Sequence, residues 1–393
     1  HGSRSLAEID TTWSQLGEIA LRVDAFPVSP GNRVTPYHDT REAFDALLQA
    51  IAGARHHVHL EFFIVRSDET GQTLFNLLAE KARQGVEIRF LYDAVGTIRL
   101  RRRMIRPLQQ AGGQLHPFLP INLLRLRIPV NLRNHRKMVV VDGATAFTGG
   151  MNVGDEYLGK SSYFGYWRDE FLRLDGPAVA AFQRIFVEDW HFATQQAVHG
   201  EAYFPDLTGV GEHTVQVIES GPDQDINASR EVYFAALLGA QKSIRIASPY
   251  FVPDTGLLDA IRLARYRGVD VQLLTLHKPD HFLSFHASRY FWGELLGAGV
   301  KVYQYSRGMM HSKMILLDGQ CGIVGSANMD YRSLRLNFEV SCILHTPAVV
   351  AGYEAAFDRD VAESQAVDPE AFARRPFLAR LAEQACRLFG PAL

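Results

Sequence analysis

Two short stretches of this chain carry the same reactive residues at the same spacing. His135, Lys137 and Asp142 read H-x-K-x4-D, and His311, Lys313 and Asp318 repeat the pattern. The register holds further on: Asn152 and Asn328 each lie 17 residues past their histidine, after Gly149-Gly150-Met151 and Gly325-Ser326-Ala327. A single H-x-K at a strand edge needs no role, whereas two copies in register point to one. Residues two apart on a β-strand share a face, so His135 is expected to point with Lys137 and His311 with Lys313. Asp142 and Asp318 have the opposite parity on a regular strand and are expected to face away. An imidazole beside an ammonium, with an amide following a glycine turn, suits an anionic phosphate: a nucleophile or acid, plus donors for the equatorial oxygens. Two copies supply a nucleophile on one side and an acid on the other.

Each copy continues to a carboxylate. Asp169 lies 34 residues past His135, and Glu339 lies 28 past His311. A carboxylate hydrogen-bonded to one imidazole nitrogen fixes the tautomer and raises the basicity of the other nitrogen. Glu170 competes with Asp169 for that place, and pairing with an arginine is the plain alternative for each acid. Pairing within a copy and crossed pairing both fit the spacing. No carboxylate cluster of the kind used in two-metal chemistry stands near either histidine, so no metal and no cofactor are expected. His56-His57-Val58-His59 alternates along a strand without the partner that a zinc motif requires, and His116, His199 and His281 read as surface or packed histidines.

These groups need two similar scaffolds, and the chain provides them. A helix near residues 40–54 and a strand at 57–65 are matched by a helix at 229–240 and a strand at 243–252. A helix around 73–83, closed by Gln84-Gly85 before the strand 86–92, is matched by 257–266, Arg267-Gly268 and 269–276. The offset between copies falls from 186 to 183 and is 176 at the histidines, so the first copy holds extra residues in between, in a basic insert from Arg99 to Arg133. Sheets with flanking helices, duplicated, predict an α/β protein. Residues 1–32 form an amphipathic helix and lead-in, residues 33–205 the first domain and residues 206–393 the second, with a Gly- and Pro-rich join at 197–212. Helices are expected at 178–193 and from Pro347 onward, each covering a sheet face.

At 393 residues, with 47% hydrophobic and 21% charged residues, the composition is that of a soluble globular protein of two domains. Three cysteines, Cys321, Cys342 and Cys386, make neither a disulfide framework nor a C-x-x-C site. No stretch approaches the roughly 20 apolar residues of a membrane span, and His1-Gly2-Ser3 reads as an expression scar. The net charge of −2 conceals an asymmetry: residues 94–141 hold ten Lys and Arg and no Asp or Glu. Arg101, Arg102 and Arg103, followed by Leu123, Leu124 and Leu126, suit anionic lipid headgroups above an apolar boundary. Nucleic acid is the competing anionic partner, and the apolar character of the insert argues against it.

With these motifs the chain resembles the phospholipase D superfamily, and its surroundings resemble bacterial cardiolipin synthases. The likeness is carried by Asn131 to Lys137, Gly149 to Asn152, Asp155 to Gly159, Trp167-Arg168-Asp169 and Arg332 to Glu339, and it runs from about Gly31 to the C-terminus. It implies two tandem phospholipase D-like repeats, each a mixed β-sheet flanked by helices, related by a pseudo-two-fold with the active site between them. It implies His135, Lys137, Asp142, His311, Lys313 and Asp318 as the catalytic set, Asn152 and Asn328 as phosphate ligands, and Asp169 and Glu339 as orienting partners of the histidines. By the same resemblance His135 attacks phosphorus to give a phosphohistidine and His311 serves as acid and then base. A phosphatidyl group would pass from one phosphatidylglycerol to the hydroxyl of a second phospholipid. Hydrolysis of phospholipids, or less readily of nucleic acid, is the alternative. The expected partners are anionic phospholipids, phosphatidylglycerol and cardiolipin, and a membrane surface, without nucleic acid. The expected place is the bacterial cell membrane, peripheral or through an N-terminal segment absent from this chain.

Overall fold

The computed structural model describes residues 11–120 and 132–389. The chain opens with α1 (Thr11–Arg22). The first half then follows as β1 (Ser29–Tyr37), α2 (Thr40–Gly53), β2 (His57–Phe62), α3 (Glu69–Arg83), β3 (Glu87–Asp93), α4 (Arg102–Gln110), β4 (Gln114–Phe118), β5 (Arg133–Asn134), β6 (Met138–Val141), β7 (Thr145–Gly149), β8 (Tyr166–Arg168), β9 (Phe171–Asp175) and α5 (Val179–Thr194). The second half comprises β10 (His213–Ser220), α6 (Ala228–Gly239), β11 (Ser243–Ala247), β12 (Phe251–Val252), α7 (Thr255–Tyr266), β13 (Asp270–Leu276), α8 (Phe282–Gly297), β14 (Lys301–Tyr305), β15 (Gly308–Met310), β16 (Met314–Leu317), β17 (Cys321–Gly325), β18 (Met329–Asp330), α9 (Tyr331–Arg335), β19 (Asn337–Leu344), α10 (Pro347–Ala362) and β20 (Ser364–Ala366). Two further helices, α11 (Pro369–Ala373) and α12 (Phe377–Leu388), close the described chain.

The halves share one strand order. It is β9-β7-β6-β2-β3-β4 in the first and β19-β17-β16-β11-β13-β14 in the second, and β1 and β10 join them into a single 16-stranded sheet. In each half the inner strands pair in parallel, β2 with β3 and β11 with β13, while the motif strands β6 and β16 run antiparallel to them. The same order with the same mixture of directions shows the tandem repeat expected from the sequence. Equivalent caps support it: Asp68 and Asp254, matched by the repeat offset, accept the backbone N–H groups of Gly71 and Leu257 at 3.0 Å and start α3 and α7.

Apolar residues on each sheet face are covered by helices. α5 buries Phe182, Ile185, Phe186 and Trp190 completely, and α10 buries Val350, Tyr353 and Phe357. α10 joins the core of the first half, so the cores interlock. α1 does the reverse: Trp13, Leu16 and Ala20 pack into the core of the second half, and Gln216 donates to the Gly17 carbonyl at 3.1 Å. The expected strand 243–252 is broken, because Ser248-Pro249-Tyr250 separates β11 from β12 and proline cannot donate to the ladder. Among the described residues no helix is long and apolar enough to cross a membrane.

Candidate active site

The H-x-K residues do not lie on a regular strand, as alternation had suggested. Residues 135–137 and 311–313 fall between strands, after β5 and β15 and before β6 and β16. The departure has a cause in the other half. β5 pairs in parallel with β19, Arg133 opposite Asn337 and Asn134 opposite Phe338, and the His135 N–H then donates to the Phe338 carbonyl at 2.9 Å. β15 does the same with β8, Met310 opposite Arg168, and the His311 N–H donates to the Arg168 carbonyl at 2.7 Å. Each histidine is thereby laid beside the residue that precedes the other half's carboxylate.

The pairing left open by sequence is therefore crossed. Nδ1 of His135 lies 2.9 Å from Oε1 of Glu339, and Nδ1 of His311 lies 2.6 Å from Oδ2 of Asp169. With Nδ1–H directed to a carboxylate, the Nε2 lone pair of a neutral ring is left for chemistry. Both carboxylates are fully buried, and both imidazoles line one cavity of about 370 Å³ between the halves, with Asn152, Asn328, Phe63 and Trp167. The aromatic rings hold the imidazoles from the side: Phe63 is 4.9 Å from His135 and Trp167 is 5.1 Å from His311, centroid to centroid.

Each acid is seated differently, and glycine explains one case. A Cβ on Gly150 would fall 2.1 Å from Oδ1 of Asp169, so only glycine leaves room there. The equivalent residue in the second half is Ser326, whose hydroxyl instead donates to Glu339 at 2.5 Å. Glu170 does not compete for His311; it takes His38 Nδ1 at 2.8 Å and the Arg168 guanidinium.

Lys137 and Lys313 fold back so that each Nζ donates to the carbonyl of its own histidine, the first at 2.6 Å. Asn152, which lines the cavity, uses Oδ1 to accept the Ile64 N–H at 3.0 Å. Oδ1 of Asn328 is buried with no partner among the described residues.

Burial sets the protonation states. It pushes the His135 pKa down to about 4, with Glu339 opposing and Lys137 assisting. Burial, then the Lys313 charge, likewise lowers His311. Burial would raise Glu339, but His135 and Lys137 outweigh it and leave the carboxyl at about 2. Burial also brings Lys313 down to about 8 against the pull of Asp169 and Glu339, and lowers Lys137. Neutral imidazoles backed by carboxylates of depressed pKa, with two buried lysines beside them, leave ring nitrogens and N–H donors of the kind a phosphodiester requires.

Asp142 and Asp318 are not brought to this cavity, and the catalytic place given to them by the motif is corrected to a scaffolding one. Asp142 accepts the backbone N–H groups of Arg55, His56 and His57 at 2.8–2.9 Å, and Asp318 accepts those of Gln241, Lys242 and Ser243. Both stand at positive φ, 53° and 57°, ahead of Gly143 and Gly319 at 64° and 67°. This is the Asp-Gly turn of a tight hairpin, here joining β6 to β7 and β16 to β17. Arg101, Arg102 and Arg103 are exposed at the start of α4, apart from the reacting groups. Leu123, Leu124 and Leu126 lie outside the described residues.

Two buried guanidiniums escaped the sequence reading. Arg136, from the first half, binds Asp189, Glu219 at 2.6 Å and the Glu339 carbonyl at 3.3 Å. Arg168 binds Glu170, Asp360 at 2.8 Å and the Asp169 carbonyl at 2.6 Å. Each ties a first-half motif to a second-half acid and holds the peptide of an orienting carboxylate. His57 and His59 are buried, with ring nitrogens 2.7 Å from His56 and 2.9 Å from Gln183, respectively.

Comparison with known proteins gives the family. The family described as "Cardiolipin synthase, PLD-like domain" matches residues 47–190 and 233–361, one segment in each half. The chain is 44% identical over 377 residues to the cardiolipin synthase of Geobacillus kaustophilus, covering 95% of this chain and 75% of that protein. It is 41% identical over 380 residues to cardiolipin synthase 2 of Bacillus anthracis, covering 96% and 74%. Among solved structures, the phosphatidylserine synthase of Haemophilus influenzae shares the fold with a TM-score of 0.74 at 15% identity, over 96% of this chain and 100% of that one. The polyphosphate kinase of Porphyromonas gingivalis does so at 0.57 and 11%, over 92% and 53%. The chain belongs to the cardiolipin synthases with phospholipase D-like domains, phosphatidyltransferases of phospholipid biosynthesis.

Proposed function

We propose that this enzyme makes cardiolipin by two displacements at one phosphorus, through a phosphatidyl-histidine. The observation that carries the reading is the crossed arrangement: two imidazoles facing one cavity, each backed by a buried carboxylate of the opposite half. In the first step Nε2 of His135 attacks the phosphorus of phosphatidylglycerol. The bond to the headgroup oxygen breaks, and Nε2–H of protonated His311 gives its proton to the departing glycerol. In the second step the hydroxyl of another phosphatidylglycerol returns a proton to His311. Its oxygen attacks phosphorus, the P–N bond breaks, and His135 is restored.

The low pKa of His135 supports its place as nucleophile, since the ring is neutral at physiological pH. His311 must carry a proton in the first step. The negative phosphate beside it favours that form in the complex and offsets the burial that disfavours it in the free enzyme. Lys137, Lys313, Asn152 and Asn328 hold the nonbridging oxygens, whose charge grows in the transition state. Water in the second step would yield phosphatidic acid, so transfer requires the acceptor to be held and water kept out. The lipid substrate places the enzyme at a bacterial membrane surface, with Arg101, Arg102 and Arg103 toward anionic headgroups.

Purified protein with labelled phosphatidylglycerol in vesicles is expected to give cardiolipin and glycerol. An alkaline detergent quench, which preserves the P–N bond, should trap phosphorus label on the enzyme and not on a His135→Ala variant. Phosphatidic acid as the main product would establish hydrolysis instead, and label retained by His135→Ala would remove His135 as nucleophile.

A further inference from the structure

Exposed large apolar side chains gather beside the residues that line the active-site cavity. Phe282 and Leu283, at the start of α8, are 65% and 43% exposed, and they stand between His281 and Ser284, both of which line the cavity. Tyr163, 54% exposed, precedes the lining residue Phe164. Tyr163 is fixed to the same rim, since its hydroxyl donates to the Pro279 carbonyl at 3.2 Å and the Lys278 ammonium lies 4.0 Å from its ring centroid. On the first-half side Ile98, 70% exposed, follows Thr97, whose hydroxyl donates to the carbonyl of the lining residue Phe63 at 3.1 Å.

We infer that Ile98, Tyr163, Phe282 and Leu283 form an apolar rim around the cavity mouth that inserts into an anionic bilayer. The inference rests on the lipid-transfer reading above and extends it to the surface that meets the membrane. The repeat makes the rim two-sided: the segment after β3 that carries Ile98 and leads into α4 is the counterpart of the segment after β13 that leads into α8. One apolar prong therefore comes from each half. Charge agrees with an anionic bilayer as the occupant, because Arg99, Arg101, Arg102 and Arg103 are exposed beside Ile98, and Lys278 is exposed beside Tyr163. Apolar side chains set among cations are the composition of an interfacial segment. A lipid headgroup can reach the buried histidines while its acyl chains stay in the bilayer only if the mouth itself faces the bilayer, and this rim surrounds the mouth.

The test pairs vesicle binding with turnover in two physical states of the substrate. A Phe282→Ser/Leu283→Ser variant and a separate Tyr163→Ser variant are compared with Tyr266→Ser, an exposed α7 tyrosine lining a separate cavity. Partition onto phosphatidylglycerol vesicles should fall at least roughly tenfold in the double variant, at low and high salt alike. It should stay within roughly twofold in Tyr266→Ser. The ratio of turnover on vesicles to turnover on a short-chain phosphatidylglycerol kept below its critical micelle concentration should fall in parallel. Vesicle partition unchanged in both rim variants, with the folded circular dichroism spectrum retained, overturns the rim; so does a loss equal to that of Tyr266→Ser. An unsubstituted enzyme that binds vesicles through this rim but forms no cardiolipin from either substrate would sink the transferase reading and leave the rim standing.

Discussion

On the two-displacement mechanism proposed above, the crossed pairing gives Glu339 and Asp169 different steps, and Glu339→Gln tests the assignment. The Glu339 carboxylate takes His135 Nδ1–H at 2.9 Å, the Ser326 hydroxyl at 2.5 Å and an Asn337 amide hydrogen at 3.2 Å. Its pKa falls from 4.5 to about 2 in spite of complete burial, a preference for the charged form on the order of 3 kcal/mol. A neutral amide forfeits that preference and can turn its own N–H toward Nδ1. The hydrogen then sits on Nε2, where the attacking lone pair is needed. A carboxylate-to-amide change behind the histidine of a serine protease costs about 10⁴-fold through this tautomer, and a loss on the order of 10³–10⁴ is expected for phosphoenzyme formation here. Asp169→Asn acts on His311 and so on protonation of the leaving group. A phosphatidyl ester of p-nitrophenol, which leaves without a proton, should restore most of the first-step rate in Asp169→Asn and little of it in Glu339→Gln, read as a nitrophenolate burst by stopped flow. Equal restoration in both variants, or restoration in Glu339→Gln alone, would refute the division of labour.

Asp142→Asn weakens three backbone hydrogen bonds away from the cavity. It should lower stability by about 1–2 kcal/mol in urea unfolding while the folded fraction keeps its turnover. The His135–Glu339 pair makes the fold acid-sensitive. His135 at about 4 binds its proton below the ordinary 6.5, so the unfolded chain holds more protons between those values and stability falls as pH drops through that window, by on the order of 3 kcal/mol. Glu339, depressed from 4.5 to about 2, contributes stability that is full above 4.5 and is lost below it; His135→Gln should flatten the upper part of the curve in thermal melts. Replacing Arg101, Arg102 and Arg103 by glutamine should weaken binding to anionic vesicles roughly fivefold per charge. The loss should shrink in 1 M salt, where the Debye length is about 3 Å; a loss that ignores salt would count against an electrostatic role.

Sequence made the repeat legible because H-x-K-x4-D and the following asparagine are local, and local spacing survives folding unchanged. Helix and strand positions followed for the same reason, as with the glycines that close α3 and α7. Contacts between distant segments were not legible. His135 and Glu339 are 204 residues apart, and nothing in their spacing distinguishes a crossed partner from a local one. The parity argument pointed Asp142 and Asp318 away from the substrate but assumed an unbroken strand, whereas β5 and β15 are drawn to the opposite half before the histidine is reached. Arg136 and Arg168 were overlooked because most of the carboxylates around them, Asp189, Glu219 and Asp360, are distant in sequence and are gathered only by folding.

The continuous sheet bears on how lipids come and go. β10 pairs with β19 from Val215 to Ser220 and with β1 at Ser29 and Asn32, so the boundary between the halves is spanned by strand hydrogen bonds. Parting the halves to admit substrate would break ladder bonds and expose buried Arg136 and Arg168 without their partners, a change on the scale of unfolding. The two imidazoles are therefore carried on one continuous sheet. Traffic must pass through the mouth alone, and a product carrying a diacylglycerol at each end of its headgroup must back out the way its two precursors entered. In such an enzyme the slow event under saturating lipid would be the retreat of cardiolipin into the bilayer.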